Sequence, residues 1–262
     1  MPTLQKNIQD KIIGKGFEFD DKTHTYYFDN KPMTGCTTVL GVIGGTKTQS
    51  LIQWAANMAC DYILENSEVG NRDDEIIYKV SEKTIKEAKT AHRKKKEDTA
   101  DIGTSVHKYI ENWIKTGEIP QGNEMEMKMF NNFKGWAETN KVKFLQSELK
   151  MYSREKWVAG TVDFLCEIDG KKYVGDIKTT SGIYDRTPFA QTACYQMMLE
   201  EQGEKDIVGR IIINIKKTGE FNEDKDVYLS EHYEDDLNLF LSALSIYRIM
   251  GSFEPLVNKF KK

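Results

Sequence analysis

The stretch WVAGTVDFLCEIDGKKYVGDIKTT, residues 157–180, predicts two antiparallel strands joined by a tight turn. Asp169-Gly170 is among the strongest two-residue hairpin signals, because both central positions of such a turn take a positive φ. The flanking segments, 157–168 and 171–180, are rich in residues that favour strands, and they predict central strands with at least one buried face. Their apolar members include Val158, Val162, Phe164, Val174 and Ile177.

The turn fixes the register of the two strands. If Ile168 pairs with Lys171, then Asp163 falls directly opposite Asp176, on the same face of the sheet. Strand alternation puts Lys178 on the same side as Asp176. The sequence therefore predicts that two carboxylates and one lysine converge on one face.

Two directly opposed carboxylates destabilise a sheet unless something neutralises them. A divalent cation would do so, and oxygen ligands favour Mg²⁺ or Mn²⁺ over zinc. A lysine two residues along could hold or deprotonate a water beside that metal. The alternative is a solvent-facing hairpin, where Asp and Lys are common, but the apolar flanks argue against it.

The rest of the chain predicts a mixed α/β fold with short aromatic strands at the start. Helices are predicted at 50–65, 81–96, 101–115, 124–139, 187–202 and 231–250, and further strands at 144–152, 207–215 and 227–230. The polar segment 66–74 is predicted as a loop. We expect a mainly helical N-terminal region, 1–98, and a core, 99–262, packed as one compact unit.

Composition limits the function. The 262 residues are 39% hydrophobic and 30% charged, which is typical of a globular protein, and no apolar run is long enough for a membrane span. The first residues lack the apolar segment of a secretory signal, and the four cysteines lie far apart. These features favour the reducing cytoplasm. The net charge of −4 argues against coating nucleic acid by bulk charge.

A local basic cluster is still present. Lys86, Lys89, Arg93 and Lys96 fall on one face of the predicted helix 81–96. This basic stripe is interpreted either as a set of phosphate contacts or as a solvated helix face, which is the more common role of charge runs in general.

Three further side chains are candidates by their positions. His107 lies one turn after Gly103, beside an apolar stripe, and predicts either a ligand or a histidine at the edge of the core. Gln191 and Tyr195 are one turn apart on the helix after the third core strand, where plain amphipathic packing is the alternative.

Five motifs occur along the chain in an order that resembles that of the RecB-type branch of the PD-(D/E)XK nucleases. They are Gly103-x-x-x-His107, Glu148, Gly160-Thr161-Val162-Asp163, Asp176-Ile177-Lys178-Thr179 and Gln191-x-x-x-Tyr195. The opening of the chain is similar to that of phage-encoded and mitochondrial-type members, through His24-Thr25-Tyr26, Gly35–Leu40 and Leu51-x-x-Trp54-Ala55. The resemblance implies a restriction-endonuclease-like core of helix, three strands, helix and strand.

The resemblance also implies roles for these residues. Asp163, Asp176, the Ile177 carbonyl and His107 would bind one or two Mg²⁺ or Mn²⁺ ions. Lys178 would position or activate the attacking water, and Gln191 and Tyr195 would orient the lysine, the water or the scissile strand. Glu148 would be catalytic or structural. An iron–sulfur cluster is not expected, because no cysteine follows Cys194.

The expected function is a metal-dependent DNA exonuclease that acts on ends or single strands in recombination, repair or phage DNA metabolism. Its place would be the cytoplasm of a bacterium or phage-infected cell, with a single-strand-binding protein or recombinase as partner and no membrane. The alternatives are a non-catalytic DNA-binding or assembly protein on a nuclease fold, and a structure-specific endonuclease. A glycosidase-like carboxylate hydrolase fits poorly, because a lysine stands beside the paired carboxylates.

Overall fold

The computed structural model describes residues 16–73 and 75–251, without the side chains of residues 45–50 and 94–101. The described chain is a mixed α/β protein that divides into two compact units. One unit, the core unit, combines the chain up to Ile43 with the chain from Val106 onward. The other, the inserted unit, is Gly44–Ser105.

The core unit contains eight strands within the described residues. They are β1 (Phe17–Asp20), β2 (Thr25–Phe28), β3 (Lys31–Gly35), β6 (Lys143–Ser153), β7 (Val158–Ile168), β8 (Lys171–Lys178), β9 (Ile207–Asn214) and β10 (Val227–Ser230). Its complete helices are α1 (Cys36–Leu40), α4 (Glu124–Thr139), α5 (Thr187–Glu201), α6 (Glu223–Asp226) and α7 (Tyr233–Gly251). The predicted mixed α/β fold is confirmed, and from residue 124 to residue 214 the chain runs through a helix, three strands, a helix and a strand.

The eight strands form one mixed sheet in the order β1-β2-β3-β7-β8-β9-β10, and β6 pairs with β7. Two neighbouring pairs are parallel, β3 with β7 and β8 with β9, and the other pairs are antiparallel. β7 lies at the centre of this arrangement. One of its edges pairs with β6, and the other is shared by β3 near Val158 and by β8 from Phe164 to Ile168.

The core lies on both faces of this sheet. α5 is buried almost all round, because it packs against the sheet on one side and against α7 on the other. On α4, on the helix that ends at Thr116 and on the neighbouring strands, aromatic rings pack edge to face and stacked, with ring centroids 5.5–6.4 Å apart. These rings belong to Trp113, Phe130, Phe133, Trp136, Phe144 and Phe164.

The inserted unit departs from the predictions in two places. The segment 66–74, predicted as a loop, begins a hairpin of β4 (Glu68–Arg72) and β5 (Glu75–Lys79). The two helices predicted at 81–96 and 101–115 are one helix, α3 (Glu82–Thr116), because residues 97–100 include no strong helix breaker. The unit also contains α2 (Gly45–Glu65).

The expected boundary at residues 98/99 differs from the observed division. The N-terminal strands belong to the core unit, because β3 pairs in parallel with β7. This long-range pairing is not encoded in any local pattern. In the described part of the chain, no helix combines the length and apolar character needed to cross a bilayer.

Candidate active site

The site begins where β7 and β8 separate. Their pairing follows the predicted register from Ile168↔Lys171 to Phe164↔Gly175 and then ends. The ring of Phe164 lies over Gly175, where a Cβ would stand 1.9 Å from a ring carbon, so only glycine fits there. Asp163 and Asp176, predicted as a directly opposed pair, are therefore not a ladder pair.

The side chain of Asp163 takes the place of the backbone hydrogen bond that β7 would otherwise form with Ile177 of β8. Its Oδ2 accepts a hydrogen bond from the backbone N–H of Ile177 at 2.6 Å. In a strand the N–H and C=O of one residue point to the same edge. The carbonyl of Ile177, a predicted ligand, therefore faces the side on which Asp163 lies.

Three side chains from three elements form a group that could hold a metal ion. His107 on α3, Glu148 on β6 and Asp163 on β7 each offer one ligand atom, and these atoms lie within 4.8 Å of one another. His107 Nδ1 is 3.7 Å from Asp163 Oδ2. This contact fits both predicted roles of His107, a metal ligand and a histidine at the edge of the core that is satisfied by a carboxylate.

Glu148 stands out by its backbone. Its φ is +52°, in the left-handed region that costs a residue with a side chain about 1–3 kcal/mol. The flanking pairs, Ser147↔Phe164 and Leu149↔Val162, place it across from Asp163. Burial, and then the charges of Asp163 and Glu111, raise the pKa of Glu148 from its ordinary 4.5 to about 7. Strain and burial together make Glu148 a candidate functional carboxylate.

Asp176 and Lys178 form a second part of the site. Lys178 Nζ lies 2.6 Å from Asp176 Oδ2. Burial, opposed by Lys178 and assisted by Asp163, raises the pKa of Asp176 to about 6. Burial alone would lower the pKa of Lys178, but the charges of Asp176 and Asp163 outweigh it and raise that pKa. The lysine is therefore a cation at neutral pH in this arrangement.

Gln191 connects the members of this second group. Its Nε2 donates to Asp176 Oδ1 at 3.1 Å and to the Tyr195 hydroxyl at 2.8 Å. Its Oε1 accepts from Lys178 Nζ at 3.1 Å. The ring of Tyr195 packs against Gly160, where a Cβ would come within 2.5 Å of it. Through Gln191, α5 thus hydrogen-bonds both the lysine and the aspartate.

The donor set suits a hard divalent cation. Asp176 Oδ2 is buried and, despite its ion pair with Lys178, has no partner of hydrogen-bonding geometry among the described residues. The charge of Asp163 acts on both Glu148 and Asp176 and disfavours their ionisation. Carboxylate oxygens suit both Mg²⁺ and Mn²⁺, and the imidazole nitrogen suits Mn²⁺ better than Mg²⁺ because Mn²⁺ is the softer ion.

Two residues near the site are absent from the predicted set. Glu111 lies one helical turn after His107, and its charge acts on Glu148. Lys115, a further turn along, forms an ion pair with Glu111. The four-residue spacing from His107 is the signal in the sequence that could have identified both.

The basic stripe belongs to the inserted unit. Lys86, Lys89 and Arg93 are exposed on α3, and Lys86 pairs with Glu82 at 2.8 Å. The side chain of Lys96 lies outside the described residues. Since exposure and an intrahelical ion pair fit both interpretations of the stripe, its role stays a prediction.

Glu148 gives a stability test that needs no substrate. Its raised pKa means that the folded state holds the proton more tightly than the unfolded state between pH 4.5 and about 7. Wild-type stability should therefore fall as pH rises through this window, by up to ~3 kcal/mol. In EDTA at pH 8, Glu148→Gln should be more stable than wild type, as measured by urea unfolding, and equal to it near pH 4.5.

The exposed Glu118→Gln is the control and should leave the pH dependence unchanged. Adding Mn²⁺ at pH 8 should stabilise wild type more than Glu148→Gln, because the metal would neutralise the buried carboxylate. Equal pH profiles for Glu148→Gln and wild type would contradict the assigned burial of this charge.

No family model matches the chain, and no curated protein is significantly similar to it in sequence.

Proposed function

We propose that this protein is a metal-dependent deoxyribonuclease. One observation carries the proposal: at the separation of β7 and β8, a lysine paired with a buried aspartate stands next to a histidine and two further carboxylates. The motif order adds the resemblance to RecB-type PD-(D/E)XK nucleases, with their restriction-endonuclease-like core.

His107, Glu148, Asp163, Asp176 and the Ile177 carbonyl would hold the Mg²⁺ or Mn²⁺. Such an ion polarises a phosphate and lowers the pKa of a bound water. Glu148 thereby joins the predicted ligands. The arrangement also explains why four elements must meet here, since no single helix or strand supplies more than two of these groups.

The remaining residues act on the water and the phosphate. Lys178 keeps its proton, so it serves as a charged donor that orients a water or stabilises developing negative charge. Gln191 fixes the ammonium through its Oε1 and the aspartate through its Nε2. Tyr195 holds the amide in that orientation.

We further propose exonucleolytic action on ends or single strands, on the resemblance alone. A role in recombination, repair or phage DNA metabolism, with a single-strand-binding protein or recombinase as partner, rests on the same ground. The cytoplasmic location is proposed from the cysteine pattern and the N-terminal segment.

Digestion of end-labelled DNA tests the proposal. Single- and double-stranded, linear and circular substrates are incubated with Mg²⁺, Mn²⁺ or EDTA. We expect cleavage of linear DNA with either metal and none in EDTA. DNA binding without cleavage in either metal would favour the non-catalytic alternative, and cleavage of circular DNA would favour an endonuclease.

The basic stripe is tested by salt dependence. Replacing Lys86, Lys89, Arg93 and Lys96 by Ala should raise KM more than it lowers kcat, because phosphate contacts position the substrate without taking part in the chemistry. The log–log salt slope of binding to a single strand should fall by about 0.7 per lost contact. Control substitution of the exposed Lys171 and Lys205 should leave the slope unchanged. An unchanged slope in the quadruple variant would make the stripe a solvated face.

A further inference from the structure

A second polar group lies next to the metal ligands, one row further along the sheet. Lys150 pairs with Thr161 across β6 and β7, two residues beyond Glu148 and two before Asp163. Two residues of a strand span about 7 Å, and they return to the same face. Lys150 and Thr161 therefore continue the polar face on which the metal ligands stand, while Leu149 is buried in the core on the opposite face.

An aromatic ring, and not a carboxylate, holds the ammonium of Lys150. Nζ lies 5.0 Å from the ring centroid of Phe19 on β1, a cation–π contact. Within the described ranges, no ion pair involves Lys150. Many other lysines of the core unit do pair with carboxylates, namely Lys115, Lys134, Lys143, Lys156, Lys172, Lys178 and Lys216.

The charge of Lys150 still acts on the site. Burial raises the pKa of Glu148, and the ammonium of Lys150 opposes that rise. The lysine is thus near the carboxylates without being neutralised by them. Its half-buried side chain on the platform of Phe19 keeps the ammonium available to a further anion.

Two hydroxyl groups stand beside this lysine. Tyr26 on β2 and Thr161 share a hydrogen bond of 2.8 Å between Oη and Oγ1, in which either can be the donor. Tyr26 is buried at 8% exposure, whereas Thr161 is half-buried. A hydroxyl pair can turn one proton outward towards an acceptor oxygen, as a phosphate provides.

We propose that Lys150 and Thr161, supported by Phe19 and Tyr26, form a subsite for the phosphate of the nucleotide next to the cleaved bond. The inference rests on the proposed function and adds a specific substrate contact to it. It also gives the N-terminal strands a role, since β1 and β2 carry the ring and the hydroxyl that position the subsite. Phe19 and Tyr26 are positioning residues here.

Substrates with one neutral linkage test the subsite. Digestion of a single-stranded oligonucleotide by wild type with Mn²⁺ first identifies which terminal bond is cleaved. A single methylphosphonate, which removes the phosphate charge, is then placed one or two linkages from that bond in separate substrates. Single-turnover cleavage is measured for wild type, Lys150→Met, Lys150→Arg and the control Lys171→Met, whose exposed lysine lies at the opposite end of β8 from Lys178.

On native DNA, Lys150→Met should weaken substrate affinity about tenfold with a smaller change in the cleavage rate at saturation. Lys150→Arg should retain most of the affinity, and Lys171→Met all of it. At one methylphosphonate position, the substrate affinity of wild type should fall to that of Lys150→Met on native DNA. The affinity of Lys150→Met should not fall further at that position, because the substitution and the methylphosphonate remove the same contact.

If the affinity losses caused by Lys150→Met and by the methylphosphonate multiply at every position tested, the two changes are independent. The subsite proposal would then be wrong, while the proposed nuclease function would stand. The subsite proposal would also be wrong if Lys150→Met binds native DNA as tightly as wild type and its thermal unfolding curve shows that the variant is folded. If wild type cleaves no DNA in either metal, the proposed function is wrong, and the subsite proposal, which depends on it, is wrong as well. Mn²⁺ binding by Lys150→Met at the wild-type level confirms that a loss of affinity comes from the substrate contact.

Discussion

Asp163→Asn should reduce DNA cleavage by about 10³-fold or more, because it removes several kcal/mol of charge stabilisation at the metal group. Asp163 Oδ2 accepts a hydrogen bond from the Ile177 N–H and lies 3.7 Å from His107 Nδ1. Asparagine retains an acceptor oxygen for the N–H, so the separation of β7 and β8 should persist while the charge is lost. Single-turnover digestion and Mn²⁺ titration by calorimetry measure the two effects.

Asp169→Asn is the matched control, since it changes the same residue type in the exposed turn of the same hairpin. Its activity and metal binding should equal those of wild type. Unfolding in EDTA provides a second check, because Asp163 repels both Glu148 and Asp176, so Asp163→Asn should be at least as stable as wild type. Near-normal cleavage by a folded Asp163→Asn protein would remove Asp163 from the catalytic set.

Lys178→Met should lose about 10²–10³-fold in kcat, the usual effect of removing one charged donor from a reacting centre. Metal affinity should not fall, because the substitution removes a cation that lies 2.6 Å from Asp176 and would repel the ion. DNA affinity, measured with the non-cleaving Asp163→Asn background, should change little. The combination of lost turnover and retained metal binding separates a donor from a ligand.

Lys172→Met is the control for this substitution. Lys172 lies on the same strand, is similarly buried and is paired with Glu204 at 2.9 Å. It should therefore report the cost of breaking an ion pair without touching the reaction. Lys178→Met also leaves the buried Asp176 without its cation, so Lys178→Met/Asp176→Asn serves to check folding. Loss of Mn²⁺ binding in Lys178→Met as severe as in Asp163→Asn would contradict the assigned role.

The sequence by itself determines the hairpin and its register. A two-residue Asp-Gly turn leaves few pairings open, and alternation then fixes which side chains share a face. For the same reason the helix at Glu124–Thr139, the strands on either side of the turn and the helix that begins at Thr187-Pro188 are predictable from local patterns. The spacing of Gln191 and Tyr195 belongs to this local information as well.

The tertiary structure alone decides where that register stops and which residues gather there. Phe164 covers Gly175, the strands separate, and Asp163 turns to the Ile177 N–H, which pairing rules do not foresee. Glu148 joins the group through a left-handed backbone conformation in the middle of a strand. Lys150 meets Phe19 only because β3 pairs with β7 across more than 120 residues, a long-range contact that depends on packing of the whole sheet and that no local pattern contains.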